Sequence, residues 1–461
     1  MAAQFMVVLD LSIVNVALAS IKSDLGFSES GLQWVISAYA ITFGGFLLLG
    51  GRLADLLGRR RIFILGIALF TVASALCGVA WSSSSLVVFR AIQGVGGALF
   101  APAGLSLLMT IFREGRERNL ALGIWGAASG SGAAVGVLLG GILTSYLSWP
   151  WVFYLNLPVG IALVLLAPRY LQESRVGDAL RHFDVAGAST ITGSLMVLVY
   201  ALTRATQDGW GSDSTVTLLI ASAALFASFI VVERRAAAPL VPFHVFRGNT
   251  LAVGALITCV IASIAFSQFF LLTLYLQQVL HYSAAQSGVA FVAIAGTVAV
   301  TSQVAQRLVT RLGFRRVLFA GLVSAALSEA LLVRLPTHGT YLTDLLPSFI
   351  LIGIGMGLSF VAVTIAALAG VPPQHAGIAS GLVNTSRQVG GAVGLAAVTT
   401  IATLAANGGT AADVVHGYRV SFAVLSALAV LGALSTPLLR AHRPEAEPKT
   451  REDLVPVREA A

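Results

Sequence analysis

The sequence predicts an all-α polytopic membrane protein with fourteen transmembrane helices, arranged as two pseudo-symmetric six-helix bundles plus two inserted helices. Three observations predict this class. Of the 461 residues, 57% are hydrophobic and 10% are charged, and the mean hydropathy is +0.88, which does not fit the polar surface of a soluble protein. Long apolar runs alternate with short polar segments, and one charged motif occurs twice. A span needs about 20 apolar residues, so the chain has room for roughly fourteen.

Fourteen apolar runs define the predicted spans. They cover residues 1–21, 32–50, 62–81, 85–111, 120–147, 151–171, 184–203, 215–232, 250–276, 287–306, 317–335, 345–370, 377–404 and 418–440. Arginines concentrate in the connections after the even-numbered runs, which predicts that these connections and both termini are cytoplasmic. Only Lys22 and Lys449 are lysines among 28 cations, a bias that favours a GC-rich bacterial genome. We therefore expect a multi-pass protein of a bacterial cytoplasmic membrane.

The predicted organisation has four parts. Residues 1–171 form the first six-helix bundle, 172–239 a polar linker with helices seven and eight, and 240–440 the second bundle. Residues 441–461 are rich in Pro, Glu and Arg and lack apolar periodicity, which predicts a disordered cytoplasmic tail. No signal-peptide cleavage pattern precedes the first run.

One charged motif lies between the second and third runs and recurs later in the chain. It extends from Gly51 to Arg61, and Arg307–Arg316 keeps six of its last ten residues, with Thr310 in place of Asp55. Cations around a tight glycine turn cannot lie in hydrocarbon, so we expect a short cytoplasmic loop. An ordinary positive-inside loop would explain the arginines but neither the spacing nor the repeat. The repeat indicates two related halves.

Asp10 is a carboxylate inside the first apolar run. Its neighbours one helical turn away are all apolar, so its own helix offers no partner. A carboxylate in the membrane interior costs at least a few kcal/mol, and it should be protonated or paired across helices. Asp10 is therefore a candidate functional site, with a helix-end carboxylate in a short first span as the alternative.

Three further charged residues fall inside apolar runs. Arg90 is the expected cross-helix partner of Asp10, and Gln93 is the one polar neighbour on its own helix. Alternatively, the Arg90 side chain extends to the outer membrane interface. Arg387 is similar but nearer the cytoplasmic end of its helix. Glu329 has apolar neighbours at helical spacing, and it is either a second proton or cation site or a glutamate without a role.

The fifth run is rich in glycine. Four-residue spacing lets helix backbones approach closely and slide or bend, with static close packing as the alternative. The candidate glycines with this role are Gly132, Gly136, Gly140 and Gly141.

Several catalytic and binding motifs are missing from the sequence. It contains no P-loop, no H-E-x-x-H, no G-x-S-x-G and no Cys/His metal cluster. Cys77 and Cys259 lie far apart in apolar runs, as small buried hydrophobes do. We therefore expect no cofactor and no metal, and an ion gradient as the energy source. The net charge of +8 follows from membrane topology, so we expect no nucleic-acid partner.

Together these segments resemble the major facilitator superfamily, and within it the fourteen-helix drug:proton antiporters of bacteria. Gly51 to Arg61 is similar to the superfamily signature between helices two and three, and Leu9 to Leu18 to the first-helix motif of the fourteen-helix branch. Arg90 with Gln93 to Gly97 resembles the fourth-helix motif assigned to proton transfer. The fifth-helix glycines resemble the antiporter motif, and Trp149 to Pro158 the start of helix six.

The resemblance implies a proton-coupled exporter of amphipathic small molecules such as drugs or antibiotics, working as a monomer in the lipid bilayer by alternating access. Proton coupling would use Asp10, Arg90 and Glu329. A conformational latch would use Gly51, Arg52, Asp55, Gly58, Arg59 and Arg60. Candidates for the substrate cavity are Asn15, Trp34, Tyr39, Gln93, Phe266, Tyr275, Asn384 and Arg387. An exporter of a lipid or siderophore on the same scaffold remains an alternative, as does a membrane-embedded enzyme or a transport-dead sensor.

Overall fold

The structure, a computed structural model, describes residues 1–112, 115–174, 184–236, 239, 241, 251–406 and 410–439. The predicted tail and most of the two polar stretches around the inserted helices lie outside these residues. Within the described residues there are sixteen α-helices. They are α1 (Ala2–Leu25), α2 (Glu29–Leu32), α3 (Trp34–Leu57), α4 (Arg59–Gly78), α5 (Ser83–Ile111), α6 (Arg116–Tyr146), α7 (Trp151–Tyr154), α8 (Asn156–Tyr170), α9 (Val185–Asp208), α10 (Asp213–Arg235), α11 (Leu251–Leu274), α12 (Ala284–Leu312), α13 (Phe314–Leu332), α14 (Leu346–Leu368), α15 (Ala376–Ala405) and α16 (Ala411–Ser435).

Every predicted apolar run falls on a helix, which confirms the all-helical membrane class. Among the described residues, 11 helices are long and apolar enough to cross a bilayer. In α1 and α6 the apolar segments are the shorter Ala2–Leu18 and Val135–Tyr146. Helix α13 carries Arg315, Arg316 and Glu329 within 19 residues, and these charges lower its hydropathy.

The repeated charged motif is more helical than the predicted loop. Helix α3 continues to Leu57 and α4 begins at Arg59, so Gly58 is the whole connection. Its φ of 110° is readily adopted only by glycine. In the second copy Gly313, with φ of 81°, is likewise the single residue between α12 and α13. A glycine with positive φ can reverse the direction of the chain at a single residue, so no longer loop is needed.

The apolar core is divided among several clusters. The largest is formed mainly by α11 to α16, and it also includes Leu105 and Met109 of α5 and Trp125 of α6. Two others join α1 to α3, α4, α5, α7 and α8. The packing of α5 and α6 against the later helices therefore connects the first part of the chain to the last.

The two inserted helices, α9 and α10, pack on each other, and α9 also packs against α3 and α15. Ser194 of α9 and Ser222 of α10 each donate a hydrogen bond to the other's backbone carbonyl, at 3.0 Å. A small apolar cluster joins Ile191 of α9, Leu48 of α3 and Ile378 of α15. The inserted pair therefore covers the contact between α3 and α15.

Candidate functional site

Asp10 is fully buried in α1 and pairs with an arginine of another helix. Its Oδ2 lies 2.7 Å from Nη1 of Arg90, which is 1% exposed on α5. Burying both charges has a desolvation cost that their attraction must offset, and loss of either partner leaves an uncompensated buried charge. The structure thus brings together the two residues that the sequence analysis singled out first.

Neutral side chains complete the shell of Asp10. Gln93 Nε2 and Asn156 Nδ2 donate to Asp10 Oδ1 at 2.9 and 3.0 Å. Arg90 Nη1 also donates to Gln93 Oε1 at 2.7 Å. Ser74 Oγ accepts from both amides, at 2.8 Å from Gln93 and 3.0 Å from Asn156. Four helices, α1, α4, α5 and α8, therefore meet at one buried polar network, which we call the Asp10 network.

Two members of this network, Asn156 and Ser74, were not predicted from the sequence as site residues. Asn156 belongs to the segment quoted for the start of helix six, where its polar side chain beside apolar residues was the available signal. Ser74 gives no such signal, because serines are common in membrane helices and their hydroxyl can donate to a backbone carbonyl of the preceding turn.

The Arg90 guanidinium makes further contacts outside this network. Its Nε donates to the carbonyl of Val35 at 2.9 Å. The Tyr39 ring lies 4.4 Å from the guanidinium carbon and the Phe153 ring 5.7 Å, which are cation–π distances. Tyr39, proposed from sequence as a cavity residue, is fully buried here because it covers Arg90 and stacks on Phe43.

At the predicted cytoplasmic ends, Asp55 joins α3 to the start of α15. It accepts from Nε and Nη2 of Arg59 at 3.1 and 2.7 Å. It also accepts from the backbone N–H groups of Gly377 and Ile378, at 3.0 and 3.1 Å. These N–H groups are unpaired within their own helix, and a helix N-terminus favours an anion. Gly51 permits this contact, since a side chain there would meet the Gly377 carbonyl.

The other arginines of the motif face the end of α8. The backbone N–H groups of Arg60 and Arg61 donate to Glu173 at 3.1 and 3.2 Å, and Arg60 Nη1 donates to the Leu171 carbonyl at 3.2 Å. Arg52 lies half-buried on α3. The residues predicted to form a latch thus contact α15 and the segment after α8, and their role as a latch stays a prediction.

The second copy of the motif makes a weaker version of the same contact. Thr310, in the position of Asp55, accepts a hydrogen bond from Asn119 Nδ2 at 3.3 Å. Asn119 lies in the first turn of α6, as Gly377 lies in the first turn of α15. The first copy therefore contacts a later helix and the second copy an earlier one. The hydrogen-bond acceptor is a carboxylate in the first contact and a neutral hydroxyl in the second.

Three of the glycines singled out in the fifth run face α1. Added methyl groups at Gly132, Gly136 and Gly140 would meet Val8, Ser12 and Ile13, respectively. Gly141 is buried as well. These contacts place α6 against the helix that carries Asp10.

A second polar cluster surrounds Arg387 on α15. Its Nη2 donates to Asn384 Oδ1 at 2.5 Å and its Nη1 to Ser129 Oγ at 3.3 Å. The amide of Gln4 lies beside them, and its satisfied orientation places its oxygen 3.2 Å from Nη1 and 3.1 Å from Nη2. We call Arg387, Asn384, Gln4 and Ser129 the Arg387 cluster. It joins α1, α6 and α15, and Gln4 and Ser129 are not among the residues predicted from the sequence.

The remaining predicted site residues lie elsewhere. Glu329 is fully buried on α13, and neither carboxyl oxygen has a hydrogen-bond partner among the described residues. The Asn15 amide donates to the Leu11 carbonyl at 2.8 Å on an exposed face of α1. Phe266 is 37% exposed and lies against Gly391.

Two aromatic cavity predictions need correction. Trp34 lines a different space from the one expected, a cavity of about 210 Å³ at the predicted external ends of α3 and α9, where it packs on Tyr200. Tyr275 lines no cavity of the described structure, because its ring is fully buried in the largest apolar cluster and its hydroxyl donates to the Pro336 carbonyl at 2.6 Å. Sequence alone does not fix which side of a helix an aromatic residue faces.

Long apolar helices around buried ion pairs define a multi-spanning membrane protein. Residues 1–395 match the family model of the Major Facilitator Superfamily. The chain belongs to that superfamily, and it is therefore a transporter rather than an enzyme.

Relatives and solved structures agree with this assignment. The chain is 43% identical to the puromycin resistance protein pur8 of Streptomyces alboniger, over 98% of this chain and 92% of that one. It is 38% identical to the cephamycin export protein CmcT of Amycolatopsis lactamdurans, over 95% and 91%. The crystal structure of the human transporter MFSD10 (TETRAN) shows the same fold, with a TM-score of 0.67 and 16% identity over 94% of this chain and 98% of that one.

Proposed function

We propose that this protein is a proton-coupled exporter, an antiporter that moves amphipathic drugs or antibiotics out of a bacterial cell in exchange for protons. It works by alternating access, in which two groups of helices rock about a central site. Relatives named for resistance to puromycin and export of cephamycin support the export of antibiotic-like molecules. The partners are protons, an amphipathic substrate and the bilayer.

The observation that carries the proposal is the Asp10 network. A buried carboxylate that is paired with a buried arginine can exchange a proton without leaving the membrane interior. In the charged form Asp10 binds Arg90, Gln93 and Asn156 together. Protonation removes its charge, and Arg90 then loses its charged acceptor, so the two protonation states favour different packing of α1.

Helix α1 transmits this difference to the interface between the halves. It packs along the α6 glycines, and α6 in turn packs against α12 and α14. A small shift of α1 therefore changes the contact that α6 makes with the later helices. A proton shifts the equilibrium between the two states only by its difference in binding free energy between them.

The latch belongs to one of these states. Asp55, Arg59 and the start of α15 hold the predicted cytoplasmic ends together. We propose that the contact breaks when the central site opens to the cytoplasm. Glu329 is a second candidate for protonation, since a charged carboxylate without partners is costly at its depth.

The proposed topology has fourteen spans with both termini in the cytoplasm. Helices α1, α6 and α13 are the three spans beyond the 11 most apolar helices. Residues 1–171 and 240–440 form the two six-helix bundles of a monomer, and 172–239 carries the inserted pair. The single-glycine turns at Gly58 and Gly313 support this internal repeat. The tail, residues 441–461, lies in the cytoplasm.

Efflux from cells tests the proposal. A host lacking its own exporters would express the protein and be loaded with amphipathic dyes that include cations, neutral compounds and carboxylates. We expect faster loss of at least one dye, abolished when a protonophore collapses the pH gradient. The Asp10→Asn variant, matched for expression, should behave like the empty vector. Efflux that persists without the gradient would refute proton coupling.

A further inference from the structure

The Arg387 cluster contains a cation without a counter-charge. Among the residues that the structure describes, no carboxylate lies within ion-pair distance of the Arg387 guanidinium, and its hydrogen-bond acceptors are the neutral Gln4, Ser129 and Asn384. Arg387 lies 11 residues into α15, about 17 Å along the helix axis at about 1.5 Å per residue. An unpaired cation at such depth costs at least a few kcal/mol, which is rarely retained without a role.

The other acidic groups of the membrane interior do not compensate it. Asp10 is bound to Arg90, and Asp55 to Arg59 and the start of α15. Glu329 makes no hydrogen bond with the described residues. The positive charge of Arg387 is therefore available to bind an anionic group, and its side chain is only partly buried.

The cluster also spans the two parts of the chain that alternating access would separate. Gln4 and Ser129 belong to α1 and α6, whereas Asn384 and Arg387 belong to α15. When the two parts move apart, the guanidinium loses Gln4 and Ser129 and keeps Asn384. Its planar fork then has free donors in the geometry that suits a carboxylate.

We propose that Arg387 is the recognition site for an acidic group of the substrate, so that the exporter prefers amphipathic acids over their uncharged counterparts. This inference rests on the proposed function and assigns the substrate class of its central site. In the open state the acid binds the Arg387 guanidinium. After the acid has left, Gln4 and Ser129 bind the guanidinium again.

One helix connects this site to the proton site. Gln4 lies six residues before Asp10 on α1, about 9 Å along the axis. It faces α6 and α15 through Ser129 and Arg387, whereas Asp10 faces α5 and α8. Displacement of Gln4 by an acid and protonation of Asp10 therefore act on the same helix.

A pair of matched probes tests the assignment without a proton gradient. The purified full chain in detergent would be titrated with 1-pyrenebutyric acid, ionised at alkaline pH, and with its methyl ester. Quenching of tryptophan fluorescence would report binding, with N-acetyltryptophanamide in empty micelles as background. One charge-assisted hydrogen bond contributes about 1.5–3 kcal/mol, so we expect the acid to bind roughly tenfold to a hundredfold more tightly than the ester.

Three variants locate the preference. Arg387→Gln should remove it by weakening the acid while leaving the ester unchanged, and Arg387→Lys should retain part of it. Arg204→Gln, a change at the external cavity, should have no effect. Equal binding of acid and ester by the unaltered protein, which requires no variant, would overturn the proposal. The proposal would also be overturned if Arg387→Gln weakened the binding of acid and ester equally, or if it left the binding of the acid unchanged. Because binding is measured in micelles, loss of proton-driven transport would not affect the result.

Discussion

Arg90 Nη1 lies 2.7 Å from Asp10 Oδ2, and both side chains are almost completely excluded from solvent. The pair joins α1 to α5 across 80 residues of chain. Because neither charge reaches water, each depends on the other for its stability in the membrane. In the proposed mechanism, proton exchange at Asp10 is therefore linked to the packing of the helices around it.

Removal of Arg90 alone should destabilise the protein strongly. Arg90→Ala leaves Asp10 buried without its counter-charge, and we expect a loss of about 3–5 kcal/mol in the free energy of unfolding. Adding Asp10→Asn should recover part of the loss, because the stranded charge is then gone. Denaturant unfolding in detergent of the two single variants and the double variant measures the coupling. Strictly additive losses would show that the two residues do not interact.

The close approach of α3 to α15 should depend on Gly51. A methyl group there would meet the Gly377 carbonyl and lie 3.3 Å from the Gly381 Cα, so Gly51→Ala should hold the helices apart. A cysteine at Ser380, which is fully buried, would report this through faster thiol labelling, in a background without the two native cysteines. Gly296→Ala, where the space is open, is the matched control. Unchanged labelling in Gly51→Ala would contradict the latch.

Glu329 should be held as the uncharged acid. Both carboxyl oxygens are buried without a hydrogen-bond partner among the described residues, and ionisation there would be far more costly than protonation. Infrared spectroscopy at neutral pH should therefore show a protonated-carboxyl band that disappears in Glu329→Gln, while the thermal stability in detergent changes little. A protonated-carboxyl band that is identical in the variant would mean that Glu329 is ionised.

The sequence predicted some parts of this structure well and others poorly. Charged residues inside apolar runs are rare and costly, so Asp10, Arg90 and Arg387 could be found without coordinates. Their neutral partners Ser74 and Ser129 could not, because hydroxyl groups in membrane helices satisfy themselves on the preceding turn.

The helices were predictable from hydropathy, but the facing of aromatic residues was not. Tyr275 is packed inside the largest apolar cluster, and Trp34 lies at a cavity between α3 and α9. Neither position can be read from an apolar run in which every side of the helix is hydrophobic. Likewise, the repeated motif indicated a turn, but only the structure shows that Gly58 alone makes it.

Substrate-driven proton release from proteoliposomes tests the central claim most directly. The purified protein would be reconstituted with a pH-sensitive dye on one side, and a transported compound from the efflux panel would be added without an imposed gradient. We expect the unaltered protein to release protons on substrate addition, and Asp10→Asn to bind the compound but release none. Proton release by Asp10→Asn equal to that of the unaltered protein would contradict the assignment of Asp10 as the coupling residue.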